Sequence, residues 1–235
     1  VSPTEEGNER AQSHVVGVVL LLGITTVSMA VLAGSAGVVI DSTAASADAT
    51  RAAGALADLA AGEDTRLELA DARLHTVDRE LRIGANATNA SNWTTVDTGG
   101  LVYDNGDDGA RLLAGAVQRG NRGFERDPAF GRGNGRVVLS VVALSGSIER
   151  SGSGTVRLRP DVGRSRRAIE SADSVAVETN HTGPWELAFE RAGGNVSVRD
   201  IDGDTTPSVV ATFDVTGVDL SLARFRLRTA RNARS

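Results

Sequence analysis

Val15-Val16-Gly17-Val18-Val19-Leu20-Leu21-Leu22-Gly23-Ile24-Thr25-Thr26-Val27-Ser28-Met29-Ala30-Val31-Leu32-Ala33-Gly34-Ser35-Ala36-Gly37-Val38-Val39-Ile40 is a run of 26 residues without a formal charge. As a helix rising about 1.5 Å per residue it would be about 39 Å long, enough to cross a bilayer core. A helix apolar all round is out of place in the core of a 235-residue protein. The run is too long for the apolar region of a removable signal peptide, about 7–15 residues behind a positive start. Residues 1–10 instead carry Glu5, Glu6 and Glu9 against Arg10. Two readings follow: a plain N-terminal anchor, or a short polar leader cut away from an apolar segment that is retained.

Downstream of Ile40 the apolar positions Ala45, Ala49, Ala52, Leu56 and Leu59 are spaced 4, 3, 4 and 3, one helical stripe. Asp48, Arg51 and Asp58 fall off it, and Gly62 is a natural stop. The expectation is one helix over residues 12–62, with its membrane span at 15–40. Within the span, Gly17, Gly23, Ala30, Ala33, Gly34 and Gly37 are small residues. Ala30/Gly34 and Ala33/Gly37 form small-xxx-small pairs that let helices approach closely in lipid. Gly and Ala are also common in any membrane helix.

From residue 63 on, the period changes to two. Alternation occurs at Val137–Leu144, Thr155–Arg159, Val175–Val177, Val196–Val198 and Leu220–Arg228, the last with a slip at Ala223–Arg224 that reads as a bulge. Asp104-Asn105-Gly106 reads as a hairpin turn. Short helices are expected at about Arg164–Ala172 and Pro184–Arg191. The fold class expected is therefore α+β: a long N-terminal membrane-spanning helix, then a mainly antiparallel, sandwich-like β head with one or two short helices. The domains expected are a short polar stretch over 1–11, which the resemblance given below implies is a leader, the helix over 12–62 and the head over 63–235.

Composition narrows the function. All 25 basic residues are Arg, against 30 acidic ones, for a net charge of −5. That balance, with 3% aromatic residues, argues against a nucleic-acid partner. The absence of Cys excludes disulfides, thiolate metal sites and a cysteine nucleophile. Five Asn residues begin Asn-x-Ser/Thr sequons: Asn86, Asn89, Asn92, Asn180 and Asn195. They are candidate glycosylation sites of an exported head. Asp200, Asp202 and Asp204 resemble the start of a calcium loop, but Ala211 stands where the loop's closing Glu belongs, so they are a weak candidate. Asp104, Asp107 and Asp108 are weaker still. His75 and His181 lie near no Gly-x-Ser-x-Gly motif, and Gly131–Gly135 lacks the Lys-Ser/Thr of a phosphate loop. No enzyme, cofactor or small-molecule substrate is expected.

The junction Glu9-Arg10-Ala11-Gln12-Ser13-His14, followed at once by the apolar run, resembles the N-terminus of archaeal type IV pilins and archaellins. The wider chain resembles haloarchaeal membrane proteins with pilin-like starts, through Ala11–His14, Gly183–Arg191, Asp200–Asp204 and Pro207–Ala211. The resemblance implies cutting by a prepilin-type peptidase at Arg10, Ala11 and Gln12, with Gln12 opening the mature chain. It implies as partners the membrane, that peptidase and other pilin-like subunits. Val16 stands where bacterial pilins carry a Glu. The location implied is the cell membrane, single-pass, with the head outside the cell or in a surface filament. The function implied is a pilin-like adhesion subunit; the alternative is a monomeric anchored binding domain with no filament role.

Overall fold

The computed structural model describes residues 43–85, 93–106, 108–120 and 123–229. Residues 45–235 form one unit and residues 1–44 another, of which only 43 and 44 are described. A helix, α1, occupies residues 43–61 and turns off at Gly62, whose φ of 93° suits a residue without Cβ. Its Ala49, Ala52, Ala53, Leu56, Leu59 and Ala60 are buried, which is the stripe the 4-3-4-3 spacing traces.

Among the described residues nine strands make one sheet, in the order β7 (Phe124–Arg126), β6 (Ala116–Arg119), β5 (Gly109–Leu113), β4 (Gly100–Asp104), β1 (Thr65–Val77), β10 (Glu149–Glu170), β14 (Gly217–Thr229), β9 (Arg136–Ser145) and β8 (Ala129–Gly133). Five make a second: β12 (Asn195–Arg199), β13 (Ser208–Thr212), β11 (Ser174–Glu178), β2 (Glu80–Gly84) and β3 (Trp93–Asp97). Neighbours are antiparallel except β14 and β9, which run parallel. A second helix, α2 (Thr182–Arg191), carries Pro184 in its first turn, where a missing N–H costs nothing.

The large sheet curls. Its edge strands β7 and β8 are joined by Asp127 and Pro128 alone. Laid flat, nine strands about 4.8 Å apart would separate the edges by roughly 38 Å. Two linking residues bridge at most about 11 Å. The curl is closed on the inside by aromatic rings. Phe124 of β7 stands edge-on to Trp185 of α2 at 5.2 Å, and Phe130 of β8 lies 5.3 Å from Phe189 of α2.

The two faces of this sheet serve two cores. On one, α1 covers Leu67 and Leu74 of β1, Leu101 and Tyr103 of β4, Leu112 of β5 and Leu158 of β10. On the other, α2 and the five-stranded sheet cover Ala116 of β6, Val137 and Leu139 of β9, and Leu220 and Leu222 of β14. Adjacent residues such as Leu112 and Leu113 therefore point into different cores. Burial of each such Leu is worth roughly 1.5–3 kcal/mol.

Several expectations are corrected here. The described residues are 59% strand, with two helices, so the fold is mostly β rather than α+β with a long spanning helix. Among them no helix is long and apolar enough to cross a membrane, which overturns the single-pass membrane location. The run Val15–Ile40, on which that location and the span rested, lies outside the described residues, as do residues 1–11 and the small residues Gly17, Gly23, Ala30, Ala33, Gly34 and Gly37. The helix expected at Arg164–Ala172 is instead the far half of β10, which pairs with β14 without interruption from Leu158 to Glu170. Pairing along the whole strand outweighs local propensity.

The slip in β14 is no bulge either. Its register with both neighbours is continuous. Leu220 and Leu222 face the inner core, whereas Leu227, of opposite parity, faces α1. The strand passes from one covered face to the other. β1 does carry an irregularity, between Leu69 and Ala72, with Asp71 at φ 55°. It keeps Leu67, Leu69, Ala72 and Leu74 all facing α1.

Candidate binding cleft

Strand register places four side chains in one row across the large sheet. His75 pairs with Val102, Val102 with Arg111, and Arg111 with Gln118. Directly opposed residues share a face, and the row spans roughly 14 Å over three strand spacings. The bulge in β1 sets the parity that turns Leu74 toward α1 and His75 away from it. The row floors a cleft of about 250 Å³, whose other wall includes Asn180 and His181 from the β11–α2 connection and Trp185 of α2. Phe124 lies at the same end, so the cleft opens beside the aromatic cluster. In the next row Gly100 stands between Val77 and Leu113, and a Cβ there would come within 2.8 Å of the Val77 side chain.

Arg111 is the cleft's exceptional group. No carboxylate of the described residues lies within 4 Å of its guanidinium, and its Nη1 is buried without a hydrogen-bond partner. Burial lowers its proton affinity, against the pull of Asp104 and Asp108. Gln118, 4% exposed, spends one amide hydrogen on the Gly120 carbonyl at 3.2 Å and keeps another. His75 has a buried Nδ1 without a partner. Arg79 at the rim is engaged: it donates to the Asp78 carbonyl at 2.7 Å and to Glu178 at 3.4 Å.

Both cleft histidines are held below the usual imidazole range. For His75 the first cause is burial, with Arg73 and Arg111 adding to it and Asp104 and Glu149 opposing. For His181 burial leads again, followed by Arg111 and Arg79. A base with a lowered folded pKa favours folding while neutral. Its contribution is present above about 6.5 and is lost as pH falls through the folded value. The urea midpoint should therefore drop between pH 7 and pH 5, and drop less in a His75→Gln/His181→Gln variant. Equal drops in both proteins would remove this assignment.

Carboxylates gather at a separate place. Oxygens of Glu80, Glu178 and Asp202 lie within 4.8 Å of one another, as do those of Asp200, Asp202 and Asp204. The Arg82 guanidinium lies among the first group, bonded to Glu80 at 2.5 Å and to Asp202. It holds the Asp202 carboxyl below its ordinary range. Glu178, buried at 5% exposure, is pushed up by burial, with Arg79 pulling the other way. In the loop, Asp200 accepts from the N–H groups of Gly203 at 2.7 Å and Thr205 at 3.2 Å, and Asp204 from Thr206 at 2.7 Å. The oxygens of the weak calcium candidate thus also accept from the turn's own backbone, and Asp202 pairs with Arg82.

Of the other candidates, Asn180 is exposed at the cleft mouth and Asn195 is exposed at the start of the edge strand β12. Asn86, Asn89 and Asn92, and the cleavage residues Arg10, Ala11 and Gln12, lie outside the described residues. The sequence singled out His75 and His181 separately; the fold brings both to one cleft. Arg111 and Gln118 carry no signal in the sequence, because only strand register places them beside His75.

Fold and cleft together define the class: a mostly-β protein whose curled sheet carries a helix on one face and a smaller sheet on the other. The chain belongs to the family described as a family of unknown function (DUF7289), which matches residues 10–229. No curated protein and no solved structure matches it.

Proposed function

We propose that this chain is a pilin-like, non-enzymatic subunit whose β head makes adhesive contacts, with a prepilin-type peptidase and other pilin-like subunits as its partners. One observation carries the reading. The apolar stripe of α1, from Ala49 to Ala60, is buried against β1, β4, β5 and β10. The head thus packs on the helix α1, an arrangement that supports the reading drawn from the Arg10-Ala11-Gln12 junction. α1 is also tied by polar bonds: Asn105 donates to the Ala45 carbonyl at 2.8 Å and Arg119 to the Thr50 hydroxyl.

Mechanical shearing of the source cells tests the proposal. The expected result is release of the chain in filaments, visible by immunogold electron microscopy and containing other subunits. Release of monomer only would overturn it. The cleft favours the second reading, a binding domain with no filament role, which that outcome would leave standing.

A further inference from the structure

We infer that the cleft floored by His75, Val102, Arg111 and Gln118 is a binding site for a small carboxylate, with Arg111 as its anchor. The inference rests on reading the head as a binding module, not on its membership of a filament. It also departs from the expectation of no small-molecule partner.

Charge selects the ligand class. Arg111 is a half-buried guanidinium without a carboxylate partner among the described residues. A planar carboxylate matches its fork of donors, in which two parallel N–H···O bonds form. The remaining amide hydrogen of Gln118, the next residue in the row, lies on the same side. Arg79 is committed to Glu178, so among the described residues the cleft offers one uncompensated cation. Asp104 also lines it, which disfavours a dianion such as phosphate. The rest of the ligand would lie over Val102 toward His75, under Trp185. The cleft volume of about 250 Å³ admits a molecule up to about the size of a monosaccharide. Hexuronates and short organic acids share this chemistry.

The chain's three histidines make the test direct, because the imidazole signals of His75 and His181 can be followed by NMR in the unaltered full chain. At pH 7 the probes are sodium glucuronate, sodium acetate, glucose and inorganic phosphate. Glucuronate is expected to shift both cleft imidazoles saturably, with Arg111→Gln weakening it by about tenfold or more. Binding of acetate as well would place the recognition in the carboxylate alone; binding of glucuronate only would add the sugar ring. Either supports the inference. It is overturned if neither carboxylate binds more tightly than about 10 mM, if glucose or phosphate binds as well as glucuronate, or if Arg111→Gln changes nothing. Should Arg111→Gln fail to fold, His75→Gln and the wild-type shifts carry the same decision. A chain that assembles but ignores carboxylates overturns this inference alone. One that binds them without assembling overturns the filament alone.

Discussion

Replacing Phe189 by Ala should destabilise the protein by about 3–5 kcal/mol, the range for emptying a buried aromatic site. Phe189 is 1% exposed and sits on the inner face of α2. Its ring lies 5.3 Å from Phe130, 5.8 Å from Trp185 and 6.3 Å from Phe213. Four of the chain's five Phe residues belong to this cluster, with Phe124 joined through Trp185. The cluster brings together β7 and β8, the two edges of the large sheet, and Phe213 at the end of the small one. The cavity would thus open where three structural parts meet, and few neighbours could collapse into it. Urea unfolding measures the loss. A change below about 1 kcal/mol would mean that the curl is held elsewhere.

The second large effect is expected at Arg82. This residue, 8% exposed, bonds Glu80 through Nε at 2.9 Å and through Nη2 at 2.5 Å, and Asp202 through Nη2 as well. Arg82→Met keeps much of the apolar stem and removes the cation. Glu80, Glu178 and Asp202 then face one another within 4.8 Å with Arg79 as the remaining partner of Glu178. A fully buried pair broken in this way costs 3–5 kcal/mol. The partner side chains are 33% and 35% exposed, so water screens part of the repulsion. About 2–3 kcal/mol is expected at pH 7. Asp202 provides the check. Its folded pKa lies below 3.8 chiefly through Arg82, so its contribution is present above that value and is lost as pH falls through the folded one. The penalty of Arg82→Met should shrink over that acid window, and adding Glu80→Gln and Asp202→Asn should recover part of it at pH 7. A penalty independent of pH would assign the loss to packing instead.

Much of the strand layout was legible in the sequence because one-sided burial writes itself as alternation. Val137–Leu144 and Val196–Val198 fall within β9 and β12. Pro184, Trp185 and Phe189 marked α2. Legibility failed where burial is not one-sided. In β10, Arg164, Arg166 and Arg167 are all exposed, so nothing in that stretch distinguishes strand from helix. In β14 the covered face changes along the strand, and a change of parity imitates a bulge. The curl was hidden because it follows from sheet order, which places β7 and β8 at opposite edges although two residues join them. The cleft was hidden for the same reason. His75, Val102, Arg111 and Gln118 become neighbours only through three separate registers. By contrast the acidic loop was conspicuous, and its carboxylates accept from their own turn and, at Asp202, from Arg82.

The central claim, a helix-borne head belonging to a pilin-like subunit, is tested most directly at the N-terminus of the mature protein. Peptide mass spectrometry of the chain from its source cells would read it. The expected mature chain begins at Gln12, or at Ala11, with Val15–Ile40 retained. A mature chain still carrying Glu5, Glu6 and Glu9 would contradict it.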